Sequence, residues 1–113
     1  MFGFGRKASP RDIGAQALGS MVTAGEVLVV DVREPHEFAA GHIPGAINMP
    51  LSRFSPAQLP DAKGRKLVLN CAAGGRSTRA MAACDSARAA VDGHLAGGMS
   101  AWAAAGLPVE RGA

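Results

Sequence analysis

The stretch of this sequence whose residue types invite chemistry is Leu67-Val68-Leu69-Asn70-Cys71-Ala72-Ala73-Gly74-Gly75-Arg76-Ser77, where an apolar run delivers a cysteine to a glycine-bearing segment ahead of a helical pattern. Small residues at 72–75 let backbone N–H groups turn toward one point. The first turn of a following helix adds unpaired donors and the positive end of its dipole. A thiol in such a cradle ionises readily, because cysteine pKa values fall from about 8.5 to roughly 3.5–7.5 at helix N-termini and beside cations. Cys71 is therefore expected to be a thiolate at neutral pH, with Arg76 as a fixed cation suited to orienting a sulfonate-like or other oxyanion group. The plainer alternative is a buried structural cysteine beside a chance glycine turn. Arg76 and two glycines make poor core material and argue against it.

The elements that must position this segment can be read on either side of it. Val27-Leu28-Val29-Val30, bounded by Gly25 and Asp31, and Leu67-Val68-Leu69 are continuous aliphatic runs of the kind that form strands buried on both faces. Ser9-Pro10-Arg11-Asp12 places a capping hydroxyl before a first-turn proline, predicting a short helix from there to about Gly19. Glu34 to Phe38 reads as a short helical turn, and residues 41–48 as a loop with a short strand. A helix is expected from about Ser77 to Ala87, with Ala80, Met81, Cys84 and Ala87 on one face. Val91 to Leu95 reads as a further short strand, and Met99 to Ala105 as a last helix closed by Gly106 and followed by Pro108. Strands alternating with helices imply an α/β domain on a parallel sheet, and such sheets place their sites at the C-terminal ends of strands.

Composition bounds the reading. At 113 residues the chain fits one domain, and 48% hydrophobic with 19% charged residues is a globular balance. A formal charge of +3 invites a nucleic-acid partner, yet twelve basic residues are interleaved with nine acids, and Phe2, Phe4, Phe38, Phe54 and Trp102 make no stacking platform. The expectation is no nucleic-acid partner, with a basic surface that favours anionic small molecules. The N-terminus lacks the apolar core of a signal peptide, and the longest uncharged stretch, Leu95 to Val109, is shorter than the roughly 20 residues that span a bilayer. No membrane association is expected. Cys71 and Cys84 then read as reduced thiols of a cytoplasmic protein.

Three separated motifs in one order resemble the rhodanese family. Cys71-Ala72-Ala73-Gly74-Gly75-Arg76-Ser77 is similar to its active-site pattern C-x-x-G-x-R-S. Asp31 to Asn48 (DVREPHEFAAGHIPGAIN) is similar to its N-terminal signature, and Leu95-Ala96-Gly97-Gly98-Met99-Ser100-Ala101-Trp102 with Gly106-Leu107-Pro108-Val109 to its C-terminal one. The resemblance implies a five-stranded parallel sheet flanked by helices on both faces over residues 9–109, with tails at 1–8 and 110–113. It also implies a sulfurtransferase. Cys71 would accept sulfane sulfur as a persulfide, the loop from Ala72 to Ser77 (Ala72, Ala73, Gly74, Gly75, Arg76, Ser77) would hold it, and Arg76 would contact the donor's anionic group. Thiosulfate or a persulfide would be the donor, and a thiol, cyanide or a thioredoxin-like protein the acceptor, with no cofactor. The six residues from Cys71 to Arg76 form a loop one residue shorter than that of the related dual-specificity phosphatases, which favours sulfur over phosphate or arsenic oxyanions. Where the family has a glycine and an aromatic residue after the active-site helix, Arg88 and Ala89 stand here. Ala8 replaces a bulky apolar residue before the Ser-Pro start, predicting a short first edge strand.

Other reactive side chains have structural readings. Asp31 and Arg33 end a buried strand on the active-site side and are expected to form an ion-pair network with Glu37 that fixes the surrounding loops. His42, in Gly-His-Ile-Pro-Gly, reads as a turn-stabilising residue, since a pre-ionised thiolate needs no general base. Cys84 reads as a small core hydrophobe and Trp102 as the anchor of the last helix. No pair of cysteines and histidines has the close spacing of a zinc site, so no metal is expected. A sulfur-relay or regulatory binding module is the rival to the enzyme. An oxyanion reductase or phosphatase is a weaker third reading, against which the short loop argues.

Overall fold

A computed structural model describes residues 10–113, so the Ser9 cap and the 1–8 segment lie outside the described residues. The order of elements is β1 (Asp12–Ile13), α1 (Ala15–Thr23), β2 (Val27–Asp31), α2 (Pro35–Ala40), β3 (Ile47–Asn48), β4 (Lys66–Asn70), α3 (Gly75–Ser86), β5 (Gly93–Leu95) and α4 (Gly98–Ala104), with two 3-10 turns, Leu51–Arg53 and Pro56–Gln58, between β3 and β4. The strands make one sheet in the order β1-β5-β4-β2-β3, every pair parallel. This is the α/β architecture expected from the alternating runs. Among the described residues no helix is long and apolar enough to cross a membrane.

The aliphatic runs are continuous because the sheet is covered on both sides. Leu28, Val30 and Val32 pack with Leu67, Leu69, Ala80, Met81 and Cys84 in one cluster, beneath α3. Val27, Val29 and Val68 pack on the other face with Leu18 from α1, Trp102 from α4, Ile43 and Leu95. The Trp102 indole also donates to the Pro108 carbonyl at 2.8 Å, which ties α4 to the segment after it.

The first helix and the buried face of α3 differ most from the sequence reading. The first helix does not start at Pro10: Arg11 and Ile13 are drawn into the sheet edge, their carbonyls accepting from His94 and Ala96, so a strand comes first and Gly14 opens α1. That helix then runs to Thr23, not Gly19. On α3, Ala80, Met81 and Cys84 are buried, but Ala87 is the exposed C-cap and the partly buried Ala89 packs against the core instead.

The connection from β2 winds outward to β3, whereas that from β4 winds the opposite way to β5. Chain departing in opposite directions from neighbouring strands leaves a crevice beyond their C-terminal ends. Cys71 follows β4 there and Val32-Arg33 follows β2.

Candidate active site

Cys71 is the first residue past β4 and is only 1% exposed. Its sulfur accepts the Gly74 N–H at 3.0 Å and lies 3.5 Å from the Ser77 hydroxyl. Gly74 caps α3 with φ 110°, a left-handed conformation that side-chain-bearing residues rarely adopt, and this turns its amide back onto the sulfur. The loop is pinned from above by the first turn of α4, where Met99 N–H donates to the Cys71 carbonyl at 2.8 Å and Ser100 N–H to the Ala72 carbonyl at 3.0 Å. Gly98 makes that approach possible, because a Cβ there would collide with both carbonyls. The Gly97-Gly98 pair therefore shapes the site from 27 residues downstream (98 minus 71).

Burial opposes ionisation of Cys71. The Ser77 hydroxyl and the backbone amides of Ser77, Gly74 and Ala73 outweigh it, and the thiol sits below its ordinary pKa. Cys84 differs: burial, then the nearby Asp85 carboxylate, push its thiol up, with Arg11 opposing. Of the two thiols, Cys71 is the one held below its ordinary pKa. The adjacent Asn70 side chain is fully buried and meets no hydrogen-bond partner among the described residues.

Arg76, in the first turn of α3, is held by Glu37 of α2 in a two-pronged pair at 2.7 and 2.9 Å. Local sequence places Glu37: Glu34 caps α2, Pro35 starts it, and Glu37 Oε1 accepts the Glu34 N–H at 2.9 Å in a capping box. The Arg76 guanidinium, against burial, lowers the Glu37 carboxyl from 4.5 to about 2, and the Glu34 amide adds to the effect. Glu37 therefore belongs to Arg76 and not to the Asp31–Arg33 network. Arg33 is already committed, its Nε and Nη2 donating to Asp31 at 2.8–3.1 Å and its Nη2 also to the Gly41 carbonyl at 2.8 Å. Asp31 is fully buried and also accepts the Arg33 amide. The pair locks the turn between β2 and α2.

His42 bonds through Nδ1 to the Phe38 carbonyl at 2.8 Å, stacks on the Phe38 ring with centroids 3.7 Å apart, and exchanges both backbone hydrogen bonds with Glu110. Its hydrogen bonds lie with α2 and the C-terminal segment, apart from the Cys71 loop. The sequence reading missed His94. On β5, in register with Leu69 of β4, it is 2% exposed, with Nδ1 2.8 Å from Ser77 Oγ and Nε2 2.8 Å from Asp12 Oδ1. A polar residue at the centre of a short buried strand was the available signal.

Comparison with known proteins agrees with this geometry. The Rhodanese-like domain family matches residues 14–105. An uncharacterized protein of Synechocystis is 48% identical over 87 residues, covering 75% of this chain and 48% of that protein. An HTH-type transcriptional regulator of Mycobacterium tuberculosis is 41% identical, covering 80% of this chain and 40% of that protein, so the chain spans under half the length of both. A sulfurtransferase of Allochromatium vinosum is 37% identical over 74% of this chain and 78% of its own. Among solved structures, a rhodanese-related protein from Thermoplasma volcanium has a TM-score of 0.74 at 31% identity, covering 88% of this chain and 97% of its own. A parallel five-stranded sheet that ends in a cysteine cradle, matched over most of its length, makes this chain a member of the rhodanese-like domain family.

Proposed function

We propose that the protein is a sulfurtransferase that carries sulfane sulfur on Cys71. The observation that carries this reading is the sulfur itself: recessed, fed by the Gly74 amide at 3.0 Å, and held below the ordinary thiol pKa. The thiolate attacks the outer sulfur of thiosulfate, an S–S bond forms as the donor's S–S bond breaks, and sulfite leaves with its electron pair. Cyanide or an acceptor thiolate then takes the outer sulfur, returning Cys71 as a thiolate. No net oxidation or reduction of the protein is needed. The amides of residues 72–77 hold the persulfide anion, and Arg76 meets the sulfonate oxygens of the donor.

Two successive transfers through one covalent intermediate give parallel double-reciprocal lines in thiosulfate and cyanide. Cys71→Ser is expected to remove thiocyanate formation while leaving the Trp102 near-ultraviolet signal intact. Substantial turnover in that variant would remove Cys71 from the role assigned to it.

One observation favours a second reading, a sulfur-relay or regulatory module fed by another protein. Arg76 is neutralised by Glu37, so a small anion must compete for it. A poor thiosulfate KM combined with rapid uptake from a persulfidated protein would favour the relay.

A further inference from the structure

Three side chains from three different elements form an unbroken series to the Cys71 sulfur. Asp12 Oδ1 on β1 lies 2.8 Å from His94 Nε2 on β5, and His94 Nδ1 lies 2.8 Å from Ser77 Oγ on α3. Ser77 Oγ lies 3.5 Å from Cys71 Sγ, just past β4. Ser77 is fully buried, Cys71 and His94 almost so, and the Asp12 side chain is 21% exposed. Ser77 has one proton and three acceptors within reach: His94 Nδ1, Cys71 Sγ and the Gly74 carbonyl at 3.1 Å. Where that proton points depends on His94. With Nε2–H donated to the Asp12 carboxylate, neutral His94 has Nδ1 as an acceptor, Ser77 donates to it, and the hydroxyl oxygen faces the thiol. With Nδ1 protonated, Ser77 must accept from the ring, and its own O–H turns to the sulfur.

We propose that Asp12, His94 and Ser77 are a proton relay that takes the Cys71 proton when the thiol ionises and turns the Ser77 hydroxyl into a donor to the thiolate. The S–H bond breaks as an O–H bond forms at Ser77. The original Ser77 O–H breaks as an N–H bond forms at His94 Nδ1. No electron is gained or lost; the outcome is a thiolate and an imidazolium, with Asp12 holding the cation. His94 and Asp12 are positioning residues, acting on the sulfur through Ser77. The charged groups placed against the relay include Asp12 on β1, the Cys71 sulfur beyond β4 and Arg76 on α3, which interacts electrostatically with that sulfur, while Arg11 engages Asp85 of α3 at 2.9 Å. The inference rests on Cys71 being the reacting thiol, but thiolate formation can be read without any sulfur transfer, so its failure and that of the sulfurtransferase reading are separable.

The experiment is an ultraviolet titration of the thiolate in a Cys84→Ala background, which leaves one thiol in a chain with no tyrosine to absorb on ionising. His94→Asn is expected to raise the Cys71 midpoint by about one pH unit or more. Asp12→Asn should raise it less, and Ser77→Ala/His94→Asn should titrate like Ser77→Ala alone. An unchanged midpoint in folded His94→Asn would overturn the relay, as would a His94→Asn shift that persists undiminished without Ser77. Should His94→Asn not fold, Asp12→Asn at the sheet edge carries the test, and an unshifted midpoint there overturns it equally.

Discussion

Glu37 shows how one carboxylate can serve structure and site in opposite directions. Its pKa is lowered from 4.5 to about 2 chiefly by Arg76, so the folded protein binds this proton less readily than the unfolded chain. The resulting stability is present in full above about pH 4.5 and is lost as pH falls toward 2. The complete shift would correspond to about 3 kcal/mol, but with roughly a quarter of each side chain exposed, solvent screening reduces it to about 1–2 kcal/mol. Glu37→Gln is therefore expected to lower the urea midpoint at pH 7 and to flatten the acid limb of the stability profile between pH 4.5 and 2. Under the proposed function the same variant frees Arg76, so its thiosulfate KM should fall with kcat little changed. An unchanged KM would mean that Arg76 does not meet the donor. The pair was not legible in the sequence because Glu37 and Arg76 stand 39 positions apart (76 minus 37), and only the capping box of α2 aims one at the other.

At the scale of elements, the buried strands could be read because a sheet covered on both faces leaves no polar alternation to confuse the pattern. The first helix could not, since its start is decided by β5 and the residue that follows it, the amides of His94 and Ala96 capturing the carbonyls of Arg11 and Ile13. His94 escaped notice for a related reason: strand register alone brings it beneath Ser77. The turn after α3 carries a side-chain-bearing residue in a left-handed conformation. Arg88 stands at φ 58°, a conformation costing side-chain-bearing residues about 1–2 kcal/mol relative to the usual helical region. Arg88→Gly is expected to raise stability by about 0.5–1 kcal/mol, read as a higher urea midpoint with an unchanged slope; a lower midpoint would show that Arg88 makes contacts worth more than the strain. The glycine at the start of α4 works the other way. Gly98→Ala forces a Cβ onto the Cys71 and Ala72 carbonyls and should cost about 1–3 kcal/mol and most of the turnover.

Across the whole molecule, the winding of the sheet brings the reactive parts together. The opposite departures from β2 and β4 open the crevice, α3 brings Ser77 and Arg76, α2 brings Glu37, α4 pins the loop carbonyls, and β1 with β5 supply Asp12 and His94. A net charge of +3 adds a weak general attraction for anionic donors. A sulfur atom carried covalently on Cys71 is read directly by intact mass. Wild-type protein treated with thiosulfate should gain the mass of one sulfur, mapped to Cys71 and not Cys84, and lose it on adding cyanide, while Cys71→Ser stays unchanged. A wild-type protein that takes no sulfur from thiosulfate or from a persulfidated protein, or a Cys71→Ser variant that takes as much, would exclude Cys71 as the sulfur carrier.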